Sequence, residues 1–167
     1  MAVSPRELHR VVPSVIIYND EGKFLIAKRG MHKVFPGKWH VPGGGVSMDD
    51  YEHLPVTTTN DKQWYYVIEK GLKREVKEEL GIEIGKTQYL LDVAFIRPDG
   101  IPVIVLTYYA PYAGGELSFN DEETTDAKWV TLEEAKSYDL IDGIWKELEM
   151  VDAILTNKKL EHGNTLY

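Results

Sequence analysis

The chain of 167 residues has no cysteine, no long apolar run and no excess of basic residues. The lack of cysteine excludes disulfide scaffolds, thiolate metal sites and cysteine nucleophiles. No stretch approaches the roughly 18–20 apolar residues of a membrane span, and the N-terminal MAVSPRELHR lacks the apolar core of a signal peptide. The net charge of −8 argues against binding to nucleic acid or to an anionic membrane. These absences predict a cytoplasmic protein without nucleic-acid or membrane partners.

Length and patterning predict one domain over residues 1–167 with a mixed sheet and flanking helices, which is the α/β class. Apolar and β-branched runs predict strands at 11–18, 23–29, 39–41, 87–97, 101–112 and 127–130. Helical patterns cover 64–80, a capping-box start at 131–134, and 143–156. In the last helix Ile144, Leu148, Val151 and Leu155 are expected to be buried. Residues 46–63 are predicted to be an inserted loop, and 157–167 a polar tail.

The most informative segment is an acidic helix with Glu75, Glu78 and Glu79 at i, i+3 and i+4. This spacing brings three like charges to one side of the helix, where they repel each other. A divalent cation among them would remove that repulsion, and hard carboxylate oxygens suit Mg²⁺ or Mn²⁺. The alternative is a solvated acidic helix face with no ligand.

Apolar residues recur every fourth position along the same helix, at Ile68, Leu72, Val76 and Leu80. On a wheel of about 100° per residue, the acids fall beside this stripe and the lysines on the opposite side. The acids are therefore expected on the shoulder of the helix. Gly81 is a suitable residue to end it.

A glycine-rich loop, Pro42-Gly43-Gly44-Gly45, ends the predicted strand at 39–41. Glycines there allow the backbone to approach a ligand or a cation closely. Together with the run from Arg74 to Ile82, this loop resembles the signature of the Nudix (MutT-type) hydrolases, G-x5-E-x7-R-E-U-x-E-E-x-G-U, where U is aliphatic. The family's strand and loop W-x-x-P-G-G is similar to Trp39-His40-Val41-Pro42-Gly43-Gly44. A third family segment, a glutamate followed after five residues by W-V-x-L-E-E, is similar to Glu123 and the run Trp129-Val130-Thr131-Leu132-Glu133-Glu134.

The resemblance covers about residues 11–135 and implies a Nudix-like α/β/α sandwich, but the signature is interrupted. Arg74 follows Gly44 by thirty positions instead of fourteen, so about sixteen residues are inserted. The first glutamate of the signature would fall at Asp50 counted from Gly44, or at Tyr66 counted from Arg74, with Glu69 one turn further on. This acid stays unassigned. The inserted loop is equally compatible with a substrate-pocket wall, a surface excursion or the contact of a homodimer.

The resemblance implies Mg²⁺-dependent hydrolysis of a nucleoside diphosphate linked to a further group, with Mn²⁺ as a substitute cation. Glu75 and Glu79 would be the principal metal ligands, with Glu78 and the Gly44 carbonyl completing the shell. Arg74 would orient a neighbouring carboxylate. The general base would be Glu123, with Glu122 as second candidate. Both acids are also compatible with a turn that merely stays solvated.

Substrate contacts are expected from Arg29, Gly43 and Gly44, although Arg29 is equally compatible with a plain surface position. Four aromatic residues are either base-stacking partners or core residues: Phe35, Trp39, Tyr108 and Tyr109. The histidines show no shared ligand spacing and receive no role.

Several substrates fit this reading: nucleoside triphosphates, nucleotide sugars, ADP-ribose and dinucleoside polyphosphates. The few residues before the first strand favour triphosphates slightly, with an ADP-ribose or nucleotide-sugar pyrophosphatase as the alternative. Isopentenyl-diphosphate isomerase shares the fold but uses a cysteine that this chain lacks. A non-catalytic nucleotide-binding module stays open because the first acid of the signature is displaced.

Overall fold

Seven strands and three α-helices make up the computed structural model, which describes residues 3–58, 62–119 and 122–157. The strands are β1 (Arg10–Tyr18), β2 (Phe24–Arg29), β3 (Trp39–His40), β4 (Ile82–Ile84), β5 (Gln88–Ile96), β6 (Pro102–Gly115) and β7 (Thr124–Val130). The helices are α1 (Val67–Leu80), α2 (Leu132–Ala135) and α3 (Ile144–Thr156). Beyond Asn157, the predicted polar tail lies outside the described residues. No helix in these ranges is both long and apolar enough to cross a membrane.

The strands form one mixed sheet. β1 runs parallel to β6, from the pair Arg10–Val103 to the pair Tyr18–Pro111. The other pairings of described strands are antiparallel. One hydrophobic cluster joins the sheet to α1, and a second joins it to α3. This arrangement confirms the predicted α/β/α sandwich.

β1 shows why its sequence is apolar throughout instead of alternating. Val15 and Ile17 belong to the cluster under α1, whereas Ile16 belongs to the cluster under α3, and all three are fully buried. Successive side chains of a strand point to opposite faces, so a strand covered on both faces needs apolar residues at every position.

Helix α1 presents the predicted apolar stripe to the sheet. Leu72, Val76 and Leu80 are at most 1% exposed, and Ile68 packs at the margin of the same cluster. The helix ends as predicted at Gly81, whose φ of 71° is left-handed and whose amide donates to the carbonyl of Lys77 at 3.0 Å. The stripe fixes the rotation of α1 and therefore the position of its acids.

The glycine-rich loop takes the place of a strand partner along β1. β1 and β2 pair only at Tyr18 and Phe24. Nearer the middle of β1, before Tyr18, the amide of Val15 donates to the carbonyl of Pro42 at 2.9 Å, and Ser14 forms a bridge with Gly43. A Cβ at position 43 would lie 2.3 Å from the carbonyl oxygen of Pro13, so only glycine permits this approach.

Some sequence predictions were wrong in detail. Strand β4 was missed because it has only three residues, directly after a helix stop. The helix predicted from residue 64 begins at Val67, because Tyr66 has a left-handed φ of 62° that ends the preceding turn. Leu155 is 38% exposed instead of buried; Ile154 is exposed as well, so the last turn of α3 extends past the core.

Gly71 lies inside α1, and Gly71→Ala is expected to stabilise the fold by about 1 kcal/mol, because glycine in a helix interior has the larger conformational entropy to lose. A Cβ built at this position meets no atom within 4 Å, so no clash offsets the gain. Urea denaturation would measure it, and the melting temperature should rise by about 2–4 °C.

Gly81→Ala, at the C-terminal cap of the same helix, is the matched control and should destabilise the fold. Its φ is left-handed, and its Cβ would lie 2.2 Å from Oγ of Ser118. A destabilised Gly71→Ala variant would contradict the open space found beside this glycine.

Candidate active site

Arg74 joins the acids of the site. Its Nη1 donates to Oε2 of Glu78, and its Nη2 donates to Oε1 of Glu75 and to Oδ1 of Asp50, each at 2.7 Å. One planar guanidinium with several donors can hold carboxylates in fixed positions. The structure thus brings Arg74 into contact with three carboxylates at once.

The two acids that could replace the displaced first glutamate lie in different surroundings. The sequence leaves Asp50 and Glu69 open, because Tyr66 has no carboxyl group. Tyr66 is 74% exposed before the start of α1, and Glu69 pairs with Lys73 at 2.9 Å. Of the two acids, the structure brings only Asp50 to Arg74.

The inserted loop is folded back on itself, which explains how it delivers Asp50. Ser47 and Asp50 form a capping box around the 3₁₀ turn Met48–Asp50. The rings of Tyr51 and Trp64 lie 5.2 Å apart, and Nε1 of Trp64 donates to the carbonyl of Leu54 at 3.0 Å. These contacts tie the two ends of the loop together next to α1. Residues 59–61, within the predicted loop, lie outside the described residues.

The glycine-rich loop touches the carboxylate cluster at Gly44. A Cβ at this position would lie 2.7 Å from Oε2 of Glu75, so the Gly44 backbone rests directly against that carboxylate. Burial raises the pKa of Glu75 above its ordinary value, although Arg74 lowers it in part. The predicted ligands Glu75 and Gly44 are therefore neighbours.

Glu79 faces Glu123 across the site, and the two carboxyls share a hydrogen bond that Glu79 donates in its protonated form. Burial raises the pKa of Glu79 well above its ordinary range, and the charge of Glu75 raises it further. In contrast, the hydrogen bond from Lys33 Nζ, at 2.5 Å, lowers the pKa of Glu123. The pair thus contains one acid that resists ionisation and one that stays ionised.

Glu122 is exposed, whereas Glu123 is half-buried against Lys33. The loop that carries both acids is held against Gly30, whose amide donates to the carbonyl of Glu123 at 2.9 Å. A Cβ at Gly30 would lie 2.2 Å from the carbonyl oxygen of Glu122. Of the two base candidates, the structure brings Glu123 to the acidic cluster.

Arg29 lies at the cationic side of the same site. Its Nε donates to the carbonyl of Val34 at 2.7 Å, and burial lowers its pKa despite the nearby charges of Glu79 and Glu123. Sequence reasoning missed two neighbours. Lys33 lies in a loop without a recognisable motif, and His40 lies between Trp39 and the glycines at a position that the family signature leaves unspecified. Burial, together with the charge of Arg29, lowers the pKa of His40 to about 3.

The aromatic candidates divide into core and surface groups. Trp39 and Tyr109 are at most 8% exposed in the cluster under α3 and are core residues. Tyr108 packs against the cluster under α1 and lies edge-on to Tyr89, with ring centroids 5.7 Å apart. Phe35 instead lies beside the partly exposed Phe95.

The acids of α1 fit a divalent cation in donor type and in electrostatics. Glu75 and Glu79 offer hard oxygens, their burial and mutual repulsion disfavour ionisation, and a cation would relieve both effects. Within the described ranges, no three carboxylate or imidazole groups already converge as a ligand set. Glu75 and Glu78 each face Arg74 instead.

Comparison with known proteins gives a consistent result. The family model of the NUDIX domain matches residues 8–56 and 63–151. Nucleoside triphosphatase NudI of Klebsiella pneumoniae is 33% identical over 142 residues, which is 78% of this chain and 88% of that protein. The same protein from Escherichia coli K12 is 31% identical over the same extent.

Solved structures agree on the fold. A MutT NUDIX hydrolase from Burkholderia pseudomallei superimposes with a TM-score of 0.67 at 25% identity, over 86% of this chain and 98% of that one. The NUDIX domain of Shewanella oneidensis NrtR, solved with ADP ribose, gives a TM-score of 0.68 at 18% identity, over 92% and 94%. At that identity the second likeness concerns the fold alone.

Proposed function

The chain belongs to the NUDIX domain family of hydrolases acting on phosphoric anhydride bonds, and on this premise we propose that it is an Mg²⁺-dependent pyrophosphohydrolase of nucleoside triphosphates. The observation that carries the proposal is the contact of Glu79 with Glu123 beside Arg29 and Lys33. Paired acids suited to a cation and two basic side chains suited to phosphate meet at one place. The nucleoside triphosphatase relatives support the choice of substrate.

Four groups would hold the cation: the carboxylates of Glu75, Glu78 and Glu79 and the carbonyl of Gly44. Bound there, Mg²⁺ would neutralise phosphate charge, which is the main requirement of phosphoryl transfer. Arg74 would act as a positioning residue, since it holds Glu75 and Glu78 from one guanidinium. Asp50 fixes Arg74 from the inserted loop.

Glu123 would act as the general base. Lys33 keeps it ionised, so it can accept a proton. The oxygen of a water molecule attacks phosphorus, the bridging P–O bond breaks, and the electron pair of that bond leaves with pyrophosphate. The water proton passes to Glu123, and the second product is a nucleoside monophosphate.

Arg29 would bind the phosphate oxygens, because it is cationic, partly buried and close to the acids. The backbone of Gly43 and Gly44 would border the phosphates, at the place where side chains are excluded by Ser14 and Glu75. The cytoplasmic location and a homodimer contact stay predictions.

A hydrolysis panel tests the proposed function. Nucleoside triphosphates, ADP-ribose and nucleotide sugars would be incubated with Mg²⁺, and the nucleoside monophosphate formed from each would be measured by chromatography. We expect at least one nucleoside triphosphate to be cleaved fastest, with pyrophosphate as the second product. Chelation with EDTA should abolish formation of the monophosphate. Absence of Mg²⁺-dependent cleavage of every triphosphate would refute the proposal.

A further inference from the structure

The loop between β2 and β3 carries a lysine into the active site. Two backbone hydrogen bonds close its base: the amide of Arg29 donates to the carbonyl of Lys38 at 2.9 Å, and the amide of Gly37 donates to the carbonyl of Arg29 at 3.2 Å. Within the loop, the amide of Lys33 donates to the carbonyl of Gly30 at 3.2 Å. These contacts fix the backbone of Lys33 relative to Arg29.

The same loop is also fixed against the proposed general base. The amide of Gly30 donates to the carbonyl of Glu123 at 2.9 Å. Nζ of Lys33 donates to Oε1 of the same residue at 2.5 Å. Backbone and side chain of the loop therefore both hold Glu123, which places the ammonium group of Lys33 directly beside the carboxylate that is to accept a proton.

Nζ of Lys33 keeps donors for a ligand. A lysine ammonium group has three N–H donors, and within the described ranges its one hydrogen-bond partner is Glu123. The side chains of Lys33 and Glu123 are 38% and 43% exposed. Because an ion pair this exposed contributes little to stability, the fold alone gives little reason for it.

Arg29, the proposed phosphate ligand, is tied to the same stretch of the loop. Its Nε donates to the carbonyl of Val34, the residue after Lys33, at 2.7 Å. Burial lowers the pKa of His40, and the charges of Arg29 and Lys33 lower it further, so both cations lie near the same imidazole. Lys33 therefore faces the part of the site in which phosphate is expected.

The charge of Lys33 also reaches the proposed cation site. Burial raises the pKa of Glu79, and the positive charge of Lys33 lowers it in part. Since Glu79 and Glu123 share a hydrogen bond, one carboxyl group separates the ammonium group from a proposed ligand of the cation. Lys33 is therefore close both to the base and to the place where the phosphates would be bound.

The position of a general base determines on which side of the phosphorus atom Lys33 lies. The base must come within about 2.6–3.2 Å of the water that it deprotonates. The oxygen of that water must come within about 3–3.5 Å of phosphorus, in line with the leaving oxygen on the far side. Because Nζ of Lys33 contacts the base itself, it lies on the side of the attacking water, beside the non-bridging oxygens of the same phosphoryl group.

We propose that Lys33 is a catalytic residue that binds a non-bridging oxygen of the phosphoryl group under attack while it stays bound to Glu123. One ammonium group then holds the base and the phosphoryl group in fixed relative positions. Its charge also stabilises the negative charge on the equatorial oxygens in the transition state. This inference rests on the proposed function in taking Glu123 as the base and a nucleotide phosphate as the substrate.

The first test measures binding without hydrolysis. Titration followed by nuclear magnetic resonance compares the best-bound of AMP, GMP, CMP and UMP with the nucleoside of the same base. We expect Lys33→Met to weaken the monophosphate at least tenfold, as the loss of a hydrogen bond between charged groups implies, and to leave the nucleoside nearly unchanged. Equal weakening of both ligands would show a general disturbance of the loop, and an unchanged monophosphate would refute the phosphate contact.

Steady-state kinetics separates contact with the substrate from support of the base. Lys33→Met should lower kcat and raise KM for the best nucleoside triphosphate, and Lys33→Arg, which keeps the charge, should recover part of both. Lys38→Met is the matched control, since Lys38 ends the same loop but pairs with Asp139 at the surface, at 2.6 Å. It should keep both constants. A fall of kcat in Lys33→Met with unchanged KM would overturn the proposal.

A double variant tests whether Lys33 acts on phosphate directly or through Glu123. In Glu123→Gln the ammonium group is released from its ion pair, so the monophosphate should bind as tightly as to the wild type or more tightly. Adding Lys33→Met to this variant should still weaken the monophosphate at least tenfold. If the second substitution has no effect once residue 123 is glutamine, Lys33 acts only through Glu123 and the inference fails.

The outcome for Lys33 can be told apart from the outcome for the proposed function. If the wild type hydrolyses no nucleoside triphosphate, the proposed function fails. The titrations with monophosphate and nucleoside need no turnover, so they still decide whether Lys33 binds phosphate.

Discussion

Glu79→Gln is expected to lower Mg²⁺-dependent hydrolysis of the best nucleoside triphosphate by about a hundredfold to ten-thousandfold. The substitution keeps the size of the side chain and removes a negative oxygen from the proposed cation site. A cation stabilises the transition state of phosphoryl transfer by several kcal/mol, and each 1.36 kcal/mol corresponds to about a factor of ten in rate. The measurement is kcat/KM over a range of Mg²⁺ concentrations.

The stability of Glu79→Gln shows whether a loss of activity reflects unfolding. An acid with a raised pKa in the folded state binds its proton more tightly there than in the unfolded chain. Folded stability is therefore lost as pH rises from the ordinary pKa toward the raised one. Glutamine removes this loss, so at pH 8 the variant should melt at or above the temperature of the wild type.

Glu69→Gln is the matched control for this prediction. Glu69 lies on the same helix but pairs with Lys73 on its surface. It should retain most of the wild-type rate. Full phosphate release by Glu79→Gln, or an equal loss in Glu69→Gln, would contradict the placement of the cation at Glu79.

The position of the acids on α1 could be predicted because it depends on local geometry. Leu72, Val76 and Leu80 recur at helical spacing, and their burial against the sheet fixes which side of the helix Glu75 and Glu79 occupy. The mixed sheet followed similarly from the order of strands and helices. Both inferences use patterns that repeat every two or about 3.6 residues.

Pairings across long sequence separations could not be predicted in the same way. Asp50 reaches Arg74 across 24 positions, because the inserted loop closes on itself through Tyr51 and Trp64. Lys33 reaches Glu123 across 90 positions, because Gly30 lets two loops meet. Neither contact has a local periodic signature.

Glu123→Gln is expected to lower kcat by about a hundredfold or more, because a positioned general base contributes about 10²–10⁴ to the rate. Glutamine keeps the shape of the side chain but cannot accept the proton of the attacking water. Substrate affinity should change much less than turnover. The loss of the carboxylate frees Lys33 from its ion pair, and an uncompensated cation beside Arg29 attracts phosphate more strongly. KM should accordingly stay constant or fall.

Steady-state kinetics of Glu122→Gln beside Glu123→Gln decides which acid is the base. Glu122 is exposed, and its backbone carbonyl lies against Gly30. A larger loss of kcat in Glu122→Gln would move the base to that residue. A rise of KM in Glu123→Gln with unchanged kcat would instead mean that Glu123 holds Lys33 in place for phosphate and takes no proton. Because loss of the base lowers kcat and loss of a phosphate contact raises KM, one pair of variants separates proton transfer from substrate binding.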